Sequence, residues 1–221
     1  MASFTRRPVP ARLVPLLEQF DHAAGRLADR LAAPLRDSGN GLPVGNTPLT
    51  DAEYLWEPVP GCWSVRPRAA GPGPRATVLA GAGDHGRDAT PPPHPAPPPF
   101  TTLAWRLSHL TEMLTLRADH TAGSRSLTRE DVAVPGTAAA AVAAFRAAAA
   151  AWRSALLAAD DAALDTVGHS AYPYGSDPGD PFLQTVRWVN QEVLHHGAEI
   201  ALLRDLHLYR CSAPSSPSSA P

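Results

Sequence analysis

Three side chains of this 221-residue sequence stand where they can do chemistry: His109, Glu192 and His196. Val186, Val189, Val193, His196, Ile200 and Leu203 recur at steps of 3, 4, 3, 4 and 3, so His196 takes a core position in an otherwise apolar helical stripe. Glu192 lies four residues before it and Glu199 three after, which at about 100° per residue puts both carboxylates within about 60° of the imidazole. Burying an unpaired carboxylate costs several kcal/mol, so this arc needs a cation, a hydrogen-bond network or solvent. A metal supplies the first. Glutamate and histidine four residues apart can share one divalent ion, and this donor pair suits zinc, nickel, manganese or iron.

Two ligands make a poor site, and the third must come from another helix. His109 is the best placed, lying between Trp105 and Met113 at four-residue steps. A set of two histidines and a glutamate leaves positions open for water or substrate, the condition for catalysis. The alternative reading makes His196 a hydrogen-bonded core histidine and Glu192 a half-exposed carboxylate. His195 points about 100° away from His196 and belongs beside the ligands rather than among them, while Glu199 either orients an imidazole or ligates. The remaining histidines, His22, His85, His94, His120, His169 and His207, fall on other faces or in loops and receive no role.

The elements that must position these groups read as helices. Leu13, Leu16, Leu17, Phe20, Ala24, Leu27 and Leu31 predict a helix from about Pro10 to Leu35, ended by Pro34. A short helix over residues 50–56 has Thr50 and Glu53 in capping-box spacing and is stopped by Pro58 and Pro60. Leu103, Leu107, Leu110 and Leu114 mark a second long helix from Thr101, and alanine-rich residues 137–159 a third, with Val142, Phe145, Trp152, Leu156 and Leu157 on its buried face. Asp180-Pro181 opens a fourth, running to about Leu206. No segment alternates as a strand does. The expected fold is all-α, a four-helix bundle over residues 10–210. The N-terminus, 1–9, is expected to be flexible. The Pro/Gly-rich insertion 67–99, between the first and second long helices, and the Ser/Pro tail 211–221 are expected to be disordered.

Composition narrows the function classes. There are 19 Lys and Arg against 21 Asp and Glu, a net charge of -2, and the scattered basic residues argue against nucleic-acid binding. Two cysteines, Cys62 and Cys211, are too few for a secreted disulfide framework. No apolar run reads as a signal peptide, and Arg146 and Arg153 interrupt the alanine-rich stretch, so neither secretion nor a membrane span is expected. These features point to the cytoplasm. A homodimer is the default assembly, and nothing in the sequence decides it.

Three stretches carry a resemblance. Leu49-Thr-Asp-Ala-Glu-Tyr-Leu-Trp-Glu-Pro-Val-Pro-Gly-Cys-Trp-Ser-Val65, Trp105-Arg-Leu-Ser-His-Leu110 and the segment from Trp188 to Asp205 resemble the DinB-like superfamily, in particular the branch related to mycothiol-dependent maleylpyruvate isomerase. The resemblance implies up-down-down-up connectivity and a metal held by one histidine of the second helix and two ligands of the last. His109, Glu192 and His196 match those ligand positions, in the Glu-x-x-x-His form of the isomerase-like branch. It further implies a low-molecular-weight thiol, mycothiol or bacillithiol, whose sulfur a divalent metal (zinc first, nickel second) activates toward a small electrophile. Trp56, Trp63, Trp105 and Trp188 are candidates for the pocket wall. The 67–99 insertion is not a usual feature of that family.

The leading expectation is therefore a metal-dependent, thiol-using transferase or isomerase. The alternative is a non-catalytic, metal-stabilised bundle acting as a binding or stress-response module. A metal-dependent hydrolase is a third reading, weakened by the lack of a separate general base.

Overall fold

The computed structural model describes residues 8–32, 47–172 and 179–212. Four long helices form the bundle: α1 (Val14–Ala32), α3 (Leu103–Ala122), α4 (Ala138–Ala158) and α6 (Phe182–Ser212). Each packs on two others, α1 and α3 both lying against α4 and α6. The apolar stripes meet inside, where Phe20, Leu107, Leu110, Phe145, Trp152 and Val189 are buried. Two short helices, α2 (Asp51–Tyr54) and α5 (Asp161–Asp165), brace the ends, and α5 had no counterpart in the sequence reading. The proposed stop at Pro34, the first residues of the chain and the tail beyond residue 212 lie outside the described residues.

Side-chain pairs fix the directions of the helices. Asn190 donates to the Leu16 carbonyl near the start of α1 and α6, and Arg30 pairs with Asp205 near their ends, so α1 and α6 run parallel. Arg153 meets Asp21 and Arg146 meets Asp29, so α4 runs antiparallel to α1. Arg106 pairs with Glu199, while Arg117 stands over the Trp188 ring, so α3 runs antiparallel to α6. The order is up-down-down-up, as expected. Two parallel neighbours, α3 and α4, therefore need a return segment, residues 123–137. Asp119 starts it by accepting hydrogen bonds from the backbone N–H groups of Ser124, Ser126 and Leu127. Tyr54 donates to the Pro135 carbonyl near its end, and Asp51 accepts from the Ala138 N–H at the start of α4.

Among the described residues α4 has the length and hydropathy that a membrane span would need. Its large side chains, Phe145, Trp152 and Leu156, are nevertheless buried in the bundle, and Arg146 and Arg153 on its outer face are ion-paired to α1.

The insertion departs from expectation. Residues 67–99 are not a disordered loop: together with Val65 and Arg66 they build an antiparallel sheet of β1 (Val65–Pro67), β2 (Val78–Ala80) and β3 (His85–Ala89), in the order β1-β3-β2. The Pro-rich stretch 90–99, like the links 71–77 and 81–84, has neither helix nor strand. The sheet does not rest on a large apolar core of its own. Asp88, fully buried, accepts from the Ser64 N–H (2.9 Å), Arg66 Nε (2.7 Å) and the Gly73 N–H (2.7 Å). Arg68 donates to the carbonyls of Leu79, Gly81 and Gly83, closing the β2–β3 turn. Gly81, at φ +94°, brings that turn so close to the return segment that a Cβ would run into Val134. Glu112 of α3 is a carboxylate that fastens the sheet to the bundle: it receives Arg87 of β3 at 2.8 Å and Arg129 of the return segment at 3.0 Å. Polar satisfaction thus replaces the apolar burial whose absence had suggested disorder.

The capping box expected at α2 is half formed. Thr50 Oγ1 accepts from the Glu53 N–H, but the Glu53 carboxylate does not turn back; it is buried and lies 2.9 Å from Arg204 Nε of α6 as an ion pair.

Because Asp88 compensates two backbone donors and a guanidinium at once, Asp88→Ala is expected to cost about 3 kcal/mol of stability. Urea unfolding followed by tryptophan fluorescence measures this; a loss below about 1 kcal/mol would show that the sheet does not depend on this carboxylate.

Candidate metal centre

The site forms where α3 and α6 cross. His109 projects from the second turn of α3, a helix started by Thr102, whose Oγ1 accepts from the Trp105 N–H. Glu192 and His196 project one turn apart from the middle of α6. The antiparallel packing brings one donor atom from each of these three side chains to within 4.8 Å of the others. Glu192 Oε2 is 3.4 Å from His109 Nε2 and 3.4 Å from His196 Nε2. The two rings meet edge to face with centroids 5.0 Å apart. The side chains keep 25%, 18% and 13% of their surface open for His109, Glu192 and His196, enough for a small ligand to reach them.

Glu199 fixes the orientation of His196. Its Oε2 lies 2.6 Å from His196 Nδ1 and is also held by Arg106. With Nδ1–H donating to Glu199, the neutral ring presents a bare lone pair at Nε2, toward Glu192. A lone pair and a carboxylate oxygen at 3.4 Å repel unless a cation or a proton lies between them. The separation is also longer than the roughly 2.7–3.2 Å of an N–H···O hydrogen bond. It matches the edge of a tetrahedron whose ligands stand about 2.1 Å from a central ion, roughly 3.4 Å. Two imidazoles and one carboxylate in this spacing fit a divalent transition metal.

The protonation states agree with that fit. With no cation between them, a proton shared from the imidazoles, His109 first, takes that place and holds the Glu192 carboxyl down to about 2, so it is ionised at neutral pH. Burial pulls His109 below its ordinary value, against the opposing influence of Glu192, and keeps the ring neutral.

The other residues singled out from the sequence divide. Glu199 stands directly behind His196. His195 is largely exposed, its ring stacked on His196 at 4.8 Å and its Nε2 3.3 Å from Glu199 Oε1. Trp105 stacks on His109 with centroids 5.4 Å apart and so belongs to the wall of the site, while Trp63 backs Trp105 at 6.4 Å, its Nε1 donating to the Pro74 carbonyl. Trp188 lies one turn before Glu192 on α6, under the Arg117 guanidinium. Trp56 is not at the site: it packs against His207 and Arg210 near the end of α6.

Sequence reasoning missed two cations. Arg106, one turn before His109 on α3, reaches Glu199, and its spacing from His109 was a usable signal. Arg87 stands 5.1 Å over the Trp105 ring, and Trp105 Nε1 donates to the Asp88 carbonyl, so the sheet holds the aromatic wall in place. Nothing local in the sequence announced that contact.

Two outcomes are expected. Glu199→Gln weakens the hold on His196 and should lower divalent-metal affinity about 10–100-fold in a chelator-competition titration; unchanged affinity would show that Glu199 does not orient the site. Because the Glu192 carboxyl sits near 2 when folded against 4.5 ordinarily, its contribution to stability is present above about 4.5 and is lost as pH falls through about 2. Melting temperature of the metal-free protein should therefore fall less steeply across that window in Glu192→Gln than in the wild type, and parallel slopes would contradict the assignment.

The sequence profile of the DinB superfamily matches residues 47–200, from just before α2 to the middle of α6, and so spans all three converging side chains. No curated protein and no solved structure matches the chain significantly. α1 lies outside the matched range and completes the bundle. By the extent of that match, together with the helical bundle, the chain belongs to the DinB superfamily.

Proposed function

We propose that the protein is a metal-dependent enzyme of the DinB type that uses a low-molecular-weight thiol, mycothiol or bacillithiol, to transfer to or isomerise a small electrophile in the cytoplasm. His109, Glu192 and His196 hold one divalent cation, zinc before nickel. The observation that carries this reading is the convergence of their donor atoms within 4.8 Å, with the His196 lone pair turned inward by Glu199. When bound, the cation would supply Lewis acidity, favouring the ionised form of an approaching thiol at neutral pH.

The residues of the chain set the conditions for that chemistry. Glu199 and Arg106 hold the Nδ1 side of His196, so that its Nε2 is directed at Glu192, where a cation would bind. Trp105, backed by Trp63, gives one side of the site an apolar surface that excludes water from a bound thiol or electrophile. The sulfur must come from outside the chain. Cys62 is buried, donates to the Val59 carbonyl and has its thiol pushed up by burial; Cys211 lies 15 residues past His196 on α6, about 22 Å along the helix axis.

Protein purified without a polyhistidine tag is expected to contain about one transition metal per chain, and His196→Ala to contain none. Absence of metal from the wild type after supplementation would end this reading. Calorimetric titration of the metal-loaded protein with mycothiol, and separately with bacillithiol, should give saturable binding to one of them. Metal that raises the melting temperature without either thiol binding would instead leave a metal-stabilised binding module.

A further inference from the structure

The insertion and the return segment enclose a cavity of about 640 Å³ that shares no side chain with the His109, Glu192 and His196 site. One wall is the sheet. Val78 and Ala80 are two residues apart on β2 and Ala89 pairs with Val78 across the strands, so all three point to the same face. A second wall is the Pro-rich stretch, which contributes Pro91 and Pro92. That stretch is pinned to the chain before β2 at two places: Thr77 Oγ1 and Thr90 Oγ1 share a hydrogen bond of 2.8 Å, and Arg75 donates to the Pro97 carbonyl. The lining is mostly apolar with a few polar groups, and the volume suits a small organic ligand, the make-up of a binding pocket.

Arg129 sets the polar end of the cavity. Glu112 is buried and shared by two guanidinium groups: its Oε2 takes Arg87 and its Oε1 takes Nε of Arg129. Two cations around one carboxylate leave one positive charge over. Arg129 uses only Nε in that pairing; among the described residues its two terminal nitrogens have no hydrogen-bond partner, and its side chain is 40% exposed. Those terminal N–H groups form the end-on fork that takes a carboxylate with two parallel hydrogen bonds. The other ionisable side chains of the lining, His94 and Glu130, are exposed, and neither pairs with Arg129.

We propose that this cavity binds a small aryl carboxylate, with the ring between the sheet face and the prolines and the carboxylate on Nη1 and Nη2 of Arg129. A flat ring matches the surface that prolines present, the pairing by which aromatic grooves recognise Pro-rich segments. A neutral ligand would leave the surplus charge of Arg87, Glu112 and Arg129 unanswered, and a cationic one would be repelled by it. Glu130 opposes the incoming anion and lowers its affinity, but from an exposed position where the effect is small. The site does not depend on whether His109, Glu192 and His196 bind metal.

The test is calorimetric titration of the untagged full chain with 2-naphthoate. One molecule per chain should bind with a dissociation constant of about 100 μM, and 2-naphthamide, its neutral counterpart, at least about 10-fold more weakly. Arg129→Gln should remove that preference, weakening naphthoate about 10-fold while leaving the amide unchanged. Glu130→Gln should tighten naphthoate about 2-fold. Ala89→Phe, which fills the cavity from the sheet face, should prevent both ligands from binding, with circular dichroism showing that the helices are kept. His196→Ala should bind naphthoate as the wild type does. No saturable binding of naphthoate up to about 1 mM, a wild type that prefers the amide or 2-naphthylmethylamine, or an Arg129→Gln protein that keeps the preference for the carboxylate overturns the inference. So does a Glu130→Gln protein that binds naphthoate more weakly, or an Ala89→Phe protein that binds it unchanged. Binding that is lost in His196→Ala would put the ligand at the metal centre and overturns the inference as well.

Discussion

A carboxylate held between two imidazoles inside a helix bundle is the constraint around which the centre of this protein is built. Glu192 cannot be left ionised in a partly buried place without compensation, and one of its oxygens is equidistant from the Nε2 atoms of His109 and His196. The remaining contacts follow from keeping that arrangement in register. Glu199 and Arg106 hold His196 from behind, Trp105 holds His109 from the side, and the sheet holds Trp105 through the Asp88 carbonyl and the Arg87 guanidinium. The chain of contacts passes from α6 to α3 to β3, so the insertion belongs to the construction of the site.

The helices and the three converging side chains were legible because helical periodicity is a local signal. The steps between Val186 and Leu203 fix which way His196 points, and four-residue spacing puts Glu192 on the same arc before any fold is known. His109 required the second helix to face the fourth, which the leucines at 103, 107, 110 and 114 imply and the structure provides. The directions of the helices were not readable from pattern alone; they came with the resemblance and are fixed in the structure by pairs such as Arg153 with Asp21 and Asn190 with Leu16.

The sheet was illegible for a physical reason. A segment is judged disordered when it lacks apolar side chains to offset its ordering entropy, and residues 67–99 lack them. What orders the segment is a small number of ionic and backbone contacts centred on Asp88, Arg68 and Glu112, whose partners lie up to 25 residues away. Strands of three and five residues are also too short to show a period of two. At Glu53 the same thing happens on a smaller scale: local spacing suggested a cap, and a distant arginine claimed the carboxylate.

The parallel pairing of α1 with α6 bears on how the chain is made. The Asn190 contact with Leu16 joins residues 174 apart, so the partner of α1 emerges from the ribosome long after α1 itself. During synthesis the apolar side of α1 meets α4 first, antiparallel and itself late, and the surface that packs on α6 stays uncovered until α6 has been made. Such a high contact order slows folding and lengthens the exposure of nascent apolar surface. Its biogenesis therefore depends on what shields the first helix while the rest of the polypeptide is still being translated.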